Sequence, residues 1–178
     1  MEQLFDDSEL IQKERPTKIT EKQEVDYYKS VAEEILKNSW SNSDIEDIIH
    51  DLSEIGYRHS GYEIAKKLED YRARGSYDID TQFIEFLDDF FYHKDEILTE
   101  NVKLWAKAHN PKPKLKKGQE LIMEKRLNIG NEKIGQTLYV TGIDPTRACY
   151  YVHENKDNNG GYIIAYEKVE SSCKIKSN

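Results

Sequence analysis

The side chains best equipped for chemistry are acids and histidines at helical spacing. Glu85, Asp89 and His93 recur at i, i+4 and i+8, which sets three metal-ligating types along one helix face. Such a row becomes a metal centre only if a second helix supplies facing ligands, and the nearest pair, Asp47 with His50, lacks the Glu-x-x-His pattern of di-iron bundles. Glu85, Asp88 and Asp89 also lie opposite Phe83, Leu87 and Phe90, where an amphipathic helix needs a solvated face. No metal and no other cofactor is expected. Nucleophilic catalysis fares no better, because the chain has no GxSxG elbow, no cysteine in a family signature and no phosphate-cradling glycine loop. Cys149 alternates with Tyr151 and His153 on one strand face, so a Cys–His contact is conceivable, with ordinary packing the simpler reading. Cys149 and Cys173 alone make neither a disulfide framework nor a zinc site. The expectation is a protein that is not an enzyme.

Binding chemistry is better represented. Lys112, Lys114, Lys116, Lys117, Lys125 and Arg126 surround a segment carrying Tyr139, Tyr150, Tyr151, Tyr162 and Tyr166. Basic groups hold a phosphate backbone and aromatic faces stack bases, so Lys116, Lys117, Tyr150 and Tyr151 are the candidate contacts for RNA. The competing reading has half of those tyrosines filling a small core and the lysines solubilising a linker. A helix-turn-helix reading rests on Lys66, Lys67, Arg72 and Arg74 on a helix opening near Tyr62. The field opposes it: residues 1–110 hold 26 acids and 14 bases, net −12, whereas residues 111–178 hold 8 and 12, net +4. Exposed acids such as Asp44, Asp47, Asp88 and Asp89 would instead draw a basic partner.

These residues are positioned by two dissimilar halves. Charged residues make up 34% of the 178 and hydrophobic ones 37%, which implies a modest core under a heavily charged surface. No apolar run approaches the roughly 18 residues of a membrane span. The opening Met-Glu-Gln-Leu-Phe-Asp-Asp lacks the basic start of a signal peptide, and a cytoplasmic location is expected.

Residues 1–19 read as a flexible arm, with Leu4, Phe5, Leu10 and Ile11 as an alternative docking segment. Capping boxes at Thr20/Gln23, Ser43/Glu46 and Ser60/Glu63 open three helices. The first carries Val25, Tyr28, Val31, Ala32, Ile35 and Leu36 on its apolar face, and Gly56 and Gly75 stand where the second and third should stop. Asp80 or Thr81 caps a fourth that runs to about Ala108, with a possible break near Asp95. Asn110-Pro111-Lys112-Pro113-Lys114 then blocks helix continuation and marks a boundary. Beyond it the period falls to about two, with strands at 120–126, 136–143, 148–154 and 162–169. Asp157–Gly161 reads as a turn and Gly142 as a bulge.

Lys117-Gly118-Gln119-Glu120-Leu121, the run Ile134–Ile143, Tyr150-Tyr151-Val152 and Ala165–Val169 resemble successive strands of SH3-like small barrels, including KOW-type modules. The resemblance covers roughly the last 65 residues. It implies a strongly bent five-stranded barrel that binds peptide, RNA or a ribosomal surface, and it implies no catalytic residue. The expected fold class is α+β: an arm (1–19), an acidic four-helix all-α domain (20–110), a Pro/Lys linker (111–117) and a small antiparallel β-barrel (118–178). The expected function is non-catalytic macromolecule binding, as a small accessory or inhibitor protein of the phage or mobile-element anti-defence type, working by steric block or acidic nucleic-acid mimicry. Its partner would be a protein or a protein–nucleic-acid complex. The alternative is an RNA- or ribosome-binding module working through the basic, tyrosine-rich barrel.

Overall fold

The computed structural model describes residues 14–55, 59–70, 77–130 and 132–176. The chain is α+β and divides into two compact units, a helical one of residues Pro16–Glu100 and a sheet unit of Asn101–Asn178 together with the segment ending at Arg15. The expected boundary at the prolines is displaced into a helix. Trp105 and Ala106 belong to the core of the sheet unit, and so does Leu115, whose N–H donates to the Tyr150 hydroxyl at 2.9 Å.

The helical unit begins with α1 (Glu21–Lys37), opened by the expected reciprocal box of Thr20 and Gln23. α2 (Ile45–Ser53) starts one residue later than the Ser43 box implies: Asp44 is its N-cap residue, and the Ser43 side chain is buried against Ser41. α3 (Gly61–Asp70) has the Ser60/Glu63 box, with Ser60 N–H on the Glu63 carboxylate at 2.9 Å. The fourth predicted helix is two, α4 (Thr81–Asp88) and α5 (Phe90–His109), broken at Asp89 rather than near Asp95. Two adjacent aspartates, weak helix formers, stand at the break, and the carboxylate of the first is drawn off to cap α3. Among the described residues five helices therefore replace the expected four. Their apolar stripes meet in one core of Tyr27, Val31, Ile35, Ile48, Leu52, Ile64, Leu68, Phe83, Leu87 and Phe90. Val25, assigned by its spacing to the buried stripe of α1, is 56% exposed.

In the sheet unit, β1 (Glu120–Met123), β2 (Thr137–Asp144), β3 (Cys149–His153), β4 (Tyr162–Ala165) and β5 (Cys173–Ile175) form one antiparallel sheet in the order β4-β3-β2-β1-β5. The sheet is open, with β4 and β5 at its edges, and not the closed barrel expected from the sequence. The predicted last strand stops at Ala165, because Tyr166–Ser172 forms a helix, α6, whose Tyr166 and Val169 are buried three residues apart. β5 follows it and pairs Met123 with Cys173. The bulge expected at Gly142 is present, as a register shift between Val140 and Gly142. A Cβ on Gly142 would stand 3.0 Å from the Tyr151 ring, so the strand bends around that ring. Among the described residues no helix is long and apolar enough to cross a membrane.

Candidate functional site

The four acids singled out in the sequence have different tasks. Asp44 is the exposed N-cap of α2 and makes no side-chain cap bond, while Asp47, one turn on, is half-buried. Asp88 accepts the Gly61 N–H and Asp89 caps the end of α4, its carbonyl taking the His93 N–H at 3.0 Å. They are not one surface of interchangeable charges, since Asp88 closes the first turn of α3.

A different acidic surface is built between α1 and α2. Glu21, Glu24, Val25 and Tyr28 from α1 and Glu46, Ile49, His50 and Ser53 from α2 line a groove of about 680 Å³. Each helix contributes the residues of one stripe, spaced i, i+3, i+4 and i+7. Behind the α1 wall, Lys94 of α5, which does not itself line the groove, donates to the Glu24 carboxylate and, at 3.1 Å, to the Tyr28 hydroxyl, with its Nζ 5.1 Å from the centre of the Tyr28 ring. The hydrogen bond from Lys94 holds the Glu24 carboxyl below its ordinary pKa, and burial pushes the Tyr28 phenol up. Glu24 thereby stays ionised, with its charge balanced by Lys94. Glu21 and Glu46 form no salt bridge among the described residues, so the groove presents uncompensated negative charge beside the exposed Val25 and half-buried Ile49. It can hold a cationic, partly apolar segment.

The sheet candidates separate in the same way. Tyr150 is fully buried, with its hydroxyl accepting from Leu115 N–H and donating to Glu170 at 2.7 Å. It has no face to offer a base, which corrects the sequence expectation. Tyr151 is half-buried, and its hydroxyl accepts from Arg147 at 3.0 Å. Lys116 and Lys117 are exposed and form no salt bridge among the described residues. Other bases of this unit are occupied: Lys114 pairs with Glu170 at 2.9 Å, Lys174 with Glu124 at 3.0 Å, Arg147 with Asp144 at 2.7 Å and Lys176 with Glu120.

The metal and cysteine readings are equally specific in their outcome. His93 Nδ1 lies 3.1 Å from Glu96, and among the described residues no three His, Cys, Asp or Glu side chains converge as metal ligands would. Cys149 is buried and accepts from Arg15 at 3.0 Å, while its thiol donates to the Arg147 carbonyl at 3.2 Å. His153 instead accepts the Asn155 N–H at 2.9 Å. Arg72, Arg74, Gly56, Gly75, Leu4, Phe5, Leu10 and Ile11 lie outside the described residues.

Sequence reasoning passed over Arg15, Glu21 and Lys94, and read Glu46 only as the capping partner of Ser43. The two glutamates had one readable signal: acids recur beside Val25 and Ile49 on helices whose apolar stripes are already wide enough for the core. Comparison of the chain with protein-family models, with curated proteins and with solved structures finds no match.

Proposed function

We propose that the protein is a non-catalytic binding protein whose acidic helical unit is the main contact surface for a basic segment of a protein or protein–nucleic-acid complex. The α1–α2 groove carries this reading. Among the described residues Glu21 and Glu46 form no salt bridge and stand beside apolar side chains, whereas the third groove acid, Glu24, has its own lysine. A surface evolved only for solubility has no need to gather unpaired acids around exposed Val25. The net −12 of residues 1–110 adds long-range attraction for a basic partner, screened beyond about 8–10 Å at physiological salt. Occupying a basic surface that otherwise holds nucleic acid would make the protein a steric or charge-mimicking inhibitor, acting in the cytoplasm as an accessory protein of the phage or mobile-element kind.

The sheet unit, on this reading, is an SH3-like module that positions the helical one; five antiparallel strands and the bulge at Gly142 support that assignment. Exposed Lys116 and Lys117, which form no salt bridge among the described residues, and half-exposed Tyr151 favour a second reading, RNA binding through the sheet. Capture of partners on the tagged full chain, before and after nuclease treatment, separates the two. A partner that survives nuclease, elutes with salt and is lost with Glu21→Lys/Glu46→Lys supports the helical reading. Recovery that depends on RNA and survives those substitutions overturns it.

A further inference from the structure

We infer that the occupant of the α1–α2 groove is a basic amphipathic α-helix of the partner, an inference that rests on the reading above and sharpens it. Three features of the groove point to a helix. Both walls are helical stripes, Glu21/Glu24/Val25/Tyr28 and Glu46/Ile49/His50/Ser53, and along α1 the acids Glu21 and Glu24 and the pair Val25 and Tyr28 each recur at about one helical turn, ~5.4 Å. Another helix repeats at that interval on one face, whereas an extended chain repeats its same-face side chains at about 6.7 Å and falls out of step within two contacts.

Backbone chemistry favours the same occupant. An extended peptide gains affinity by completing the hydrogen bonds of a sheet edge, and this groove offers no such edge, because both of its walls are helices. A helix satisfies its own backbone and needs only side-chain complementarity. Packing of i±4 ridges into the seam between two helices supplies the shape.

Charge sets the chemistry of that helix. Among the described residues Glu21 and Glu46 form no salt bridge, and His50 is the only basic type lining the groove. The complementary face therefore carries apolar side chains at i, i+3 or i+4 and i+7, set against Val25 and Ile49 and flanked by lysine or arginine. α2 has nine residues, about 13 Å, so the contact spans roughly two turns of the incoming helix. Phosphate of a nucleic acid is excluded by the same two glutamates.

The test titrates the isotopically labelled full chain with a synthetic Leu/Lys peptide of about 18 residues, long enough to become helical, with leucines at i, i+3, i+4 and i+7. A second peptide of identical composition alternates leucine and lysine and favours a strand. The expected result is saturable shifts at the amides of Val25, Ile49 and Ser53 with the first peptide and not the second. Val25→Asp, or Glu21→Lys with Glu46→Lys, should weaken binding by about tenfold, the loss typical of a central contact. Equal shifts from the alternating peptide would overturn the helix and leave the groove reading standing. No shift at the groove with either peptide would overturn both. Shifts at these amides on concentrating the protein alone would assign the groove to a second copy and also overturn the inference.

Discussion

The carboxylate of Asp88 accepts the backbone N–H of Gly61, 27 positions earlier, and so closes the first turn of α3 from the end of α4. The approach requires glycine: a Cβ at Gly61 would stand 2.1 Å from the Ile84 carbonyl oxygen. An acid that the sequence offers as a binding charge thus satisfies one of the free N–H groups at a helix start. Asp88→Ala should cost about 1 kcal/mol, as cap removal does, and Gly61→Ala about 1–3 kcal/mol through overpacking. Asp89→Ala, whose side chain is exposed, should cost close to nothing. Urea denaturation of the three variants checks the order.

Glu24 gives the protein an acid-sensitive contact. Lys94 lowers the Glu24 pKa through a hydrogen bond, so the folded state holds the carboxylate more firmly than the unfolded chain does. Its contribution is full above the ordinary carboxyl pKa of 4.5 and disappears as pH falls through the lowered folded value. Glu24→Gln should therefore reduce stability at neutral pH and flatten the acid limb of a stability profile. An unchanged acid limb would show that the pair is too solvated to matter.

Tyr150 should behave as a core residue. Tyr150→Phe leaves the Leu115 N–H without its acceptor and should cost about 1–3 kcal/mol, while leaving any RNA affinity of the folded protein unchanged. Burial pushes the Tyr150 phenol from 10.0 up to about 12. A raised phenol pKa stabilises the fold below pH 10 and loses that contribution as pH rises through the folded value, so the wild type should lose stability across this window more steeply than Tyr150→Phe. Denaturation midpoints on either side of the window decide it.

Legibility followed local rules. Thr20/Gln23, Ser60/Glu63 and Asp80 could be read as helix starts because capping depends on residues three apart. The bulge at Gly142 was legible for a similar reason, as a glycine inside an otherwise alternating strand. What escaped depends on partners far away in sequence. The Asp88 cap reaches 27 residues back, Lys94 meets Glu24 across 70, and Arg15 meets Cys149 across 134. α6 was missed because Tyr162–Val169 is apolar enough at every second position to pass as a strand, although Tyr166 and Val169 also fit a helical stripe. For the same reason Tyr150 and Tyr151 looked alike: neighbouring strand positions face opposite ways, and only the pleat says which tyrosine is inside.

Arg15 should govern access to Cys149. Its guanidinium donates to the Ala148 carbonyl and to Cys149 Sγ, both at 3.0 Å, and lies 5.9 Å from the Trp105 ring centre. Arg15→Ala should speed labelling of Cys149 by a thiol reagent, and Arg15→Lys should restore little of the protection, because one ammonium cannot reproduce the two-pronged contact. Cys173, whose thiol burial pushes up to about 11, should label slowly at pH 7 in all three proteins. Peptide mapping of the labelled sites makes the measurement, and equal Cys149 rates in wild type and Arg15→Ala would remove Arg15 from this role.

The central claim is that the helical groove, and not the sheet, carries recognition. Two full-length variants of opposite design, Glu21→Lys/Glu46→Lys in the groove and Lys116→Glu/Lys117→Glu on the sheet unit, change only exposed residues. Association of each with the captured partner, followed across ionic strength, is the most direct measurement. The account predicts that the groove variant associates more slowly and loses most of its salt dependence, with the sheet variant close to wild type. Wild-type association by the groove variant together with loss of binding by the sheet variant would contradict it.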